Sequence, residues 1–144
     1  MRISCKLNVI IIVLMICSLS YSVYGEEWIF LIENKLGRFS YDKDSISTNK
    51  EGEITVRMRQ FMSTDLTNET NEMFPDLRGS IYLIMYNIIN CKSNEYKMDR
   101  IIYYDGSEKV VNDSKEREHI YNKMDYRSIP NKSPIQRFSD KLCE

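Results

Sequence analysis

The chain has 144 residues, enough for one domain and too few for two ordinary ones. Its 20 Lys and Arg are balanced by 21 Asp and Glu and scattered along the sequence, so the general electrostatic footprint of a nucleic-acid binder is absent. Five glycines with no Gly-rich phosphate loop leave nucleotide binding unsupported.

The first 25 residues read as a leader rather than as domain. Arg2 and Lys6 give a positive start, residues 7–17 are almost unbroken apolar, and no acid occurs before Glu26. A more polar stretch ending in Val23-Tyr24-Gly25 completes the pattern of a secretory signal peptide, cleaved near Gly25 to leave a domain over 26–144. The apolar run is about half of the roughly 20 residues that a spanning helix needs. A lipid-anchored form would use Cys17, but bulky Ile16 stands where an attachment box has a small residue. Only in that form would the protein be held on a membrane.

Without Arg2 and Lys6 the charge of the remaining chain is about −3, and Cys91 and Cys143 are its only cysteines. An even pair in an exported protein is most simply a disulfide. Closing a loop of that size removes unfolded-state entropy worth about 4 kcal/mol. Two isolated cysteines and a distant His119 offer no metal-ligand cluster.

Residues 28–32 form a dense apolar run of strand length, 34–37 a turn cluster, and 38–41 an alternating polar and aromatic return. Together they predict a first hairpin. Residues 53–62 alternate most clearly. Ile54, Val56, Met58 and Met62 face one way; Thr55, Arg57, Arg59 and Phe61 face the other, as a wet face or one that covers a partner. Residues 63–79 are polar and without period, and are expected to be a mobile loop with Met73-Phe74 as a small latch.

The centre of the chain is 81–104, two apolar, tyrosine-rich runs around Cys91-Lys92-Ser93-Asn94, which predict an antiparallel hairpin with a cysteine at its tip. Asp105-Gly106 signals a turn, 107–111 a short returning strand and 112–117 a turn or short helix. Residues 119–126 are ambiguous between strand and loop. Ser133, Pro134 and Gln136 give three helix-start signals. Ile135, Phe138 and Leu142 then share one helical face, bringing Cys143 back to Cys91.

No catalytic constellation is legible. His119 sits in a charged segment with no nucleophile-elbow pattern, and Asp42 and Asp44 lack the further ligands of a calcium loop. Tyrosine stands out instead, with ten against one Trp and five Phe. Alternation places Tyr82 with Tyr86, and Tyr96 with Tyr104, as same-face pairs of the central hairpin. Tyrosine fills sheets and also suits interfaces. Arg57, Arg59, Tyr82, Tyr86, Tyr96 and Tyr104 are therefore the candidate contacts for a protein partner.

These residues also carry a resemblance. Trp28, Phe39-Ser40-Tyr41-Asp42 with Ser45-Ile46, the alternating 54–59, Asn90-Cys91 with Tyr96, Tyr104-Asp105-Gly106, Ile129-Pro130 and Leu142-Cys143 follow one another at spacings that resemble the surface-adhesin protein E family of Gram-negative bacteria. Tyr126 stands where the family often has Trp. The resemblance implies a small exported domain with its two cysteines joined, displayed at the outer-membrane surface. It also implies binding of host matrix and serum proteins such as vitronectin and laminin, haem binding, and dimerisation. The expectation is an α+β domain, a curved antiparallel sheet with a carboxy-terminal helix packed on it, acting as a non-catalytic binding module. Two alternatives accompany it: a haem or small-ligand carrier using Tyr or His119 as axial ligand, and a periplasmic structural homodimer.

Overall fold

The computed structural model describes residues 26–117 and 125–143. The leader and His119 lie outside them. Strands β1 (Trp28–Asn34), β2 (Gly37–Asp42), β3 (Ser47–Thr48), β4 (Glu53–Met62), β5 (Tyr82–Asn90), β6 (Glu95–Tyr104), β7 (Val110–Asp113) and β8 (Arg127–Ser128) form one sheet. The order is β1-β2-β4-β5-β6-β7, with β3 on β4 and β8 on β6, and every pairing is antiparallel. The α+β expectation holds, with two α-helices among the described residues, α1 (Thr64–Met73) and α2 (Pro134–Leu142).

Alternation in β4 becomes burial. Ile54, Val56, Met58 and Gln60 are buried, whereas Thr55, Arg57 and Arg59 between them are half-buried. Ile54, Val56 and Met58 join Ile89, Ile129, Ile135 and Phe138 in the main core. Phe138, fully sealed, meets the edge of the Tyr41 ring with centroids 4.9 Å apart. The α2 start is built as its residues predict, with Ser133 Oγ accepting from Gln136 N–H and Pro134 in the first turn. Gln136 Oε1 accepts from Lys132 N–H at 2.6 Å, tying the helix start from its other side. Cys91 and Cys143 are bonded, stapling the end of α2 to the β5–β6 turn.

At the β1–β2 turn, Gly37 has φ +126°, and a Cβ there would lie 1.9 Å from the Phe61 carbonyl oxygen. Only glycine lets β2 begin this close to the end of β4.

The expected loop at 63–79 is instead α1 followed by a 3₁₀ turn, Pro75–Leu77. Ser63 caps α1 by accepting from Leu66 N–H, Asp65 complements the first turn, and Asn71 Oδ1 takes the Gly79 N–H. The helix stops at Phe74, where the following proline disfavours helical backbone. Met73 and Phe74 are exposed and do not latch onto the core. The returning strand β7 begins and ends later than expected, and a 3₁₀ turn, Ser114–Arg117, follows it.

Removing the Cys91–Cys143 bond, by replacing both cysteines with serine, should cost about 4 kcal/mol for its 52-residue span. Phe138→Ala should cost about 3–5 kcal/mol. Urea unfolding followed by far-ultraviolet circular dichroism measures both.

Candidate functional site

One face of the sheet is covered by α2; the other carries most of the residues that the sequence marks out. Cross-strand register sets its rows, because directly paired residues share a face. Arg57 pairs with Tyr86 and Tyr86 with Arg100; Arg59 pairs with Ile84 and Ile84 with Ile102; Phe61 pairs with Tyr82 and Tyr82 with Tyr104. From β2, Arg38 and Ser40 sit opposite Phe61 and Arg59, and Phe30 of β1 sits opposite Ser40.

The first row is electrostatically closed. Arg57 donates from Nε (2.9 Å) and Nη2 to Asp42, which is fully buried, and also reaches Glu26 at 3.0 Å. Arg100 donates to Asp113 from the same two nitrogens, Nε (2.9 Å) to Oδ1 and Nη2 to Oδ2. Each aspartate ends a strand and opens a 3₁₀ turn, where it also accepts one backbone N–H, from Asp44 and Lys115 respectively. A serine of each turn, Ser45 or Ser114, accepts from the backbone N–H of Arg57 or Ile101. The same device thus closes both flanks of the central strands. Burial works against the Arg57 charge, but its bonds to Asp42 and Tyr86 outweigh that and raise its pKa above the ordinary value. The Arg100 guanidinium holds the Asp113 carboxyl below the usual carboxylate range.

The next row, Arg59 with Ile84 and Ile102, is apolar apart from its cation, and the last is aromatic. Tyr82 and Tyr104 stack with centroids 4.9 Å apart and planes within 4°, and Phe61 leans on Tyr82 at 5.1 Å. Burial pushes both tyrosine hydroxyls above their ordinary pKa. The Arg59 guanidinium lies 4.3 Å from the Trp28 ring centroid and 4.9 Å from that of Phe61, within cation–π range of both. Phe30 and Phe61 remain exposed. Between them opens a groove of about 810 Å³, whose lining includes Trp28, Phe30, Arg38, Ser40, Arg59 and Phe61.

Five of the six candidate contacts therefore share this face: Arg57, Arg59, Tyr82, Tyr86 and Tyr104. Tyr96 does not. Tyr86 pairs with Arg100 but Asn87 with Met98, so Asp99 is an extra, exposed bulge residue that inverts the alternation of β6. Tyr96 consequently pairs with Ile89 and packs on the α2-side core, opposite Tyr104. Arg57 is also clamped to a buried carboxylate, which makes it a structural residue first. Trp28, Phe30 and Phe61 are the additions to the candidate set; the alternation of Trp28 and Phe30 in β1 was their signal within an otherwise apolar run.

Away from these rows, on the β3–β8 side, the Tyr126 hydroxyl donates to Glu53. Burial and then the Glu53 bond raise the Tyr126 pKa to about 12.

The helix-backed open antiparallel sheet, here with one aromatic outer row, is also what the comparisons with known proteins find. The family model for surface-adhesin protein E matches residues 28–144, and the chain belongs to that family. Two solved structures of protein E from Haemophilus influenzae share the fold. One, from a non-typeable strain, has TM-score 0.56 and 16% identity, covering 85% of this chain and 78% of that one. The other has TM-score 0.53 and 14% identity, covering 81% and 86%. No curated protein matches the sequence.

Asp42→Ala should cost roughly 2–4 kcal/mol, somewhat less than a fully sealed pair, because the Arg57 side chain is still 27% exposed. Asp113 has its pKa depressed in the folded state, so its contribution is present above the unfolded value of ~3.9 and lost as pH falls below it. The stability gap between wild type and Asp113→Asn should therefore be constant above about pH 5 and narrow steadily towards pH 2. Urea midpoints across that range measure it.

Proposed function

We propose that this chain is an exported binding module of the bacterial cell surface that holds a protein partner against the aromatic sheet face. The observation that carries the reading is the run Trp28–Arg59–Phe61–Tyr82–Tyr104, aromatic rings with one cation among them, on the face that α2 leaves uncovered. Aromatic and arginine side chains are the residue types that concentrate binding energy at interfaces. Mutual stacking holds these rings in place, so little side-chain freedom is lost on binding. Family membership supports the adhesin class, and host matrix or serum proteins are the partner class that it suggests.

The test is capture on immobilised vitronectin and laminin by surface plasmon resonance. A Phe61→Ala/Tyr82→Ala double variant should bind at least tenfold more weakly than wild type, at the scale of one or two interface hot spots. Ile88→Ala, elsewhere on the same face, should bind as wild type does. Unchanged capture by the double variant, with its circular dichroism intact, would remove this face as the docking surface.

A further inference from the structure

We propose that Arg59 is an anion anchor: the groove between Trp28, Phe30 and Phe61 receives an acidic side chain of an extended segment of the partner, with an apolar neighbour lying on the exposed rings. This deepens the docking reading above and rests on it.

The other arginines of this face are matched by carboxylates. Arg38 is paired with Glu33 at 3.2 Å, Arg57 with Asp42 and Glu26, and Arg100 with Asp113. Arg59 makes no ion pair among the described residues, and its Nε is buried with no hydrogen-bond acceptor. Burial dominates and lowers the guanidinium pKa, against the weaker fields of Tyr82, Glu26 and Glu108. A half-buried cation with an unmet N–H is costly in a protein surface, since desolvation is not returned by a partner. The aromatic rings return part of it and hold the side chain within a defined slot.

What the rings cannot supply is an acceptor in the guanidinium plane. A carboxylate supplies it, and supplies two oxygens matched to the donor fork. The groove adds specificity. Its other charged side chains, Glu33 and Arg38, neutralise one another, so the balance of the lining is one positive charge, that of Arg59. Phe30, 57% exposed, and Phe61, 38% exposed, offer apolar surface beside it. Charge complementarity therefore selects an acidic residue next to an apolar one, and disfavours a basic segment.

Trp28 is the only tryptophan in the chain and lies 4.3 Å from the guanidinium, so its fluorescence reports on the groove directly. The probe is the Trp-free peptide acetyl-Phe-Glu-Phe-Glu-amide, compared with its isosteric Phe-Gln-Phe-Gln counterpart. The expected result is a saturable change in Trp28 emission with the Glu peptide, and at least tenfold weaker binding of the Gln peptide. Arg59→Gln should abolish the difference between the two peptides. If wild type binds both alike, or binds neither, the anchor is wrong. A change that tracks protein concentration instead of peptide would assign the groove to a second copy and also overturn it. The docking reading is judged separately, by matrix-protein capture with the Phe61→Ala/Tyr82→Ala variant, so either idea can fail alone.

Discussion

The packing of α2 on one face of the sheet is the constraint from which the rest follows. Phe138 fills the space between Tyr41 and the alternating apolar residues of β4, and the Cys91–Cys143 bond prevents the short helix from leaving. A nine-residue helix has little stability of its own in water, so its order derives from this burial and from the cap at Ser133. Among the described residues α2 alone covers the sheet there, and it covers one side. The opposite face must then be stabilised by its own side chains.

Two different solutions to that problem sit side by side. In the row through Arg57, Tyr86 and Arg100, each cation meets an aspartate rooted in a 3₁₀ turn at the sheet's flank. Those carboxylates are hydrogen-bonded on both sides, which is the condition under which a buried ion pair is tolerated. One row on, Arg59 has no ion pair among the described residues, and in the row beyond it aromatic rings take over. The stacking of Tyr82 on Tyr104 and the tilt of Phe61 onto Tyr82 bury ring area within the sheet face itself. The two solutions meet at Arg59, which has rings but no carboxylate.

Much of this was legible in the residues, and the exceptions have physical causes. Strict alternation over Glu53–Met62 gave both faces of β4, since nothing interrupts its period. Ser133, Pro134 and Gln136 gave the start of α2 to the residue. The helix α1 escaped because it has no apolar stripe: Thr70 is its only buried residue, and its order comes from the Ser63 cap and the Asn71 bond to Gly79. Simple alternation puts Tyr96 on the wrong face because a bulge is chosen by strand pairing, and Asp99 carries no local mark of being the extra residue. The pairs Arg57–Asp42 and Arg100–Asp113 span 15 and 13 residues, and no sequence period predicts which acid meets which base.

The bulge also explains why the outer face is divided as it is. Had β6 kept an uninterrupted register from Tyr104 to Glu95, Tyr96 would face outward with Tyr104, and the core beside Ile89 would lose a ring. Inserting Asp99 lets one strand serve both layers, Tyr104 and Arg100 outward at one end and Tyr96 inward at the other. The outer aromatic surface is thereby confined to the β1–β2–β4 side and the adjoining ends of β5 and β6, where the groove lies. Gly37 works in the same direction, since its close approach to the Phe61 carbonyl fixes the end of β4 that presents the Phe61 ring. On the docking reading proposed above, rings that already stack beside an unmatched arginine lose little side-chain freedom when a partner arrives, and that saving matters more than the area of the face.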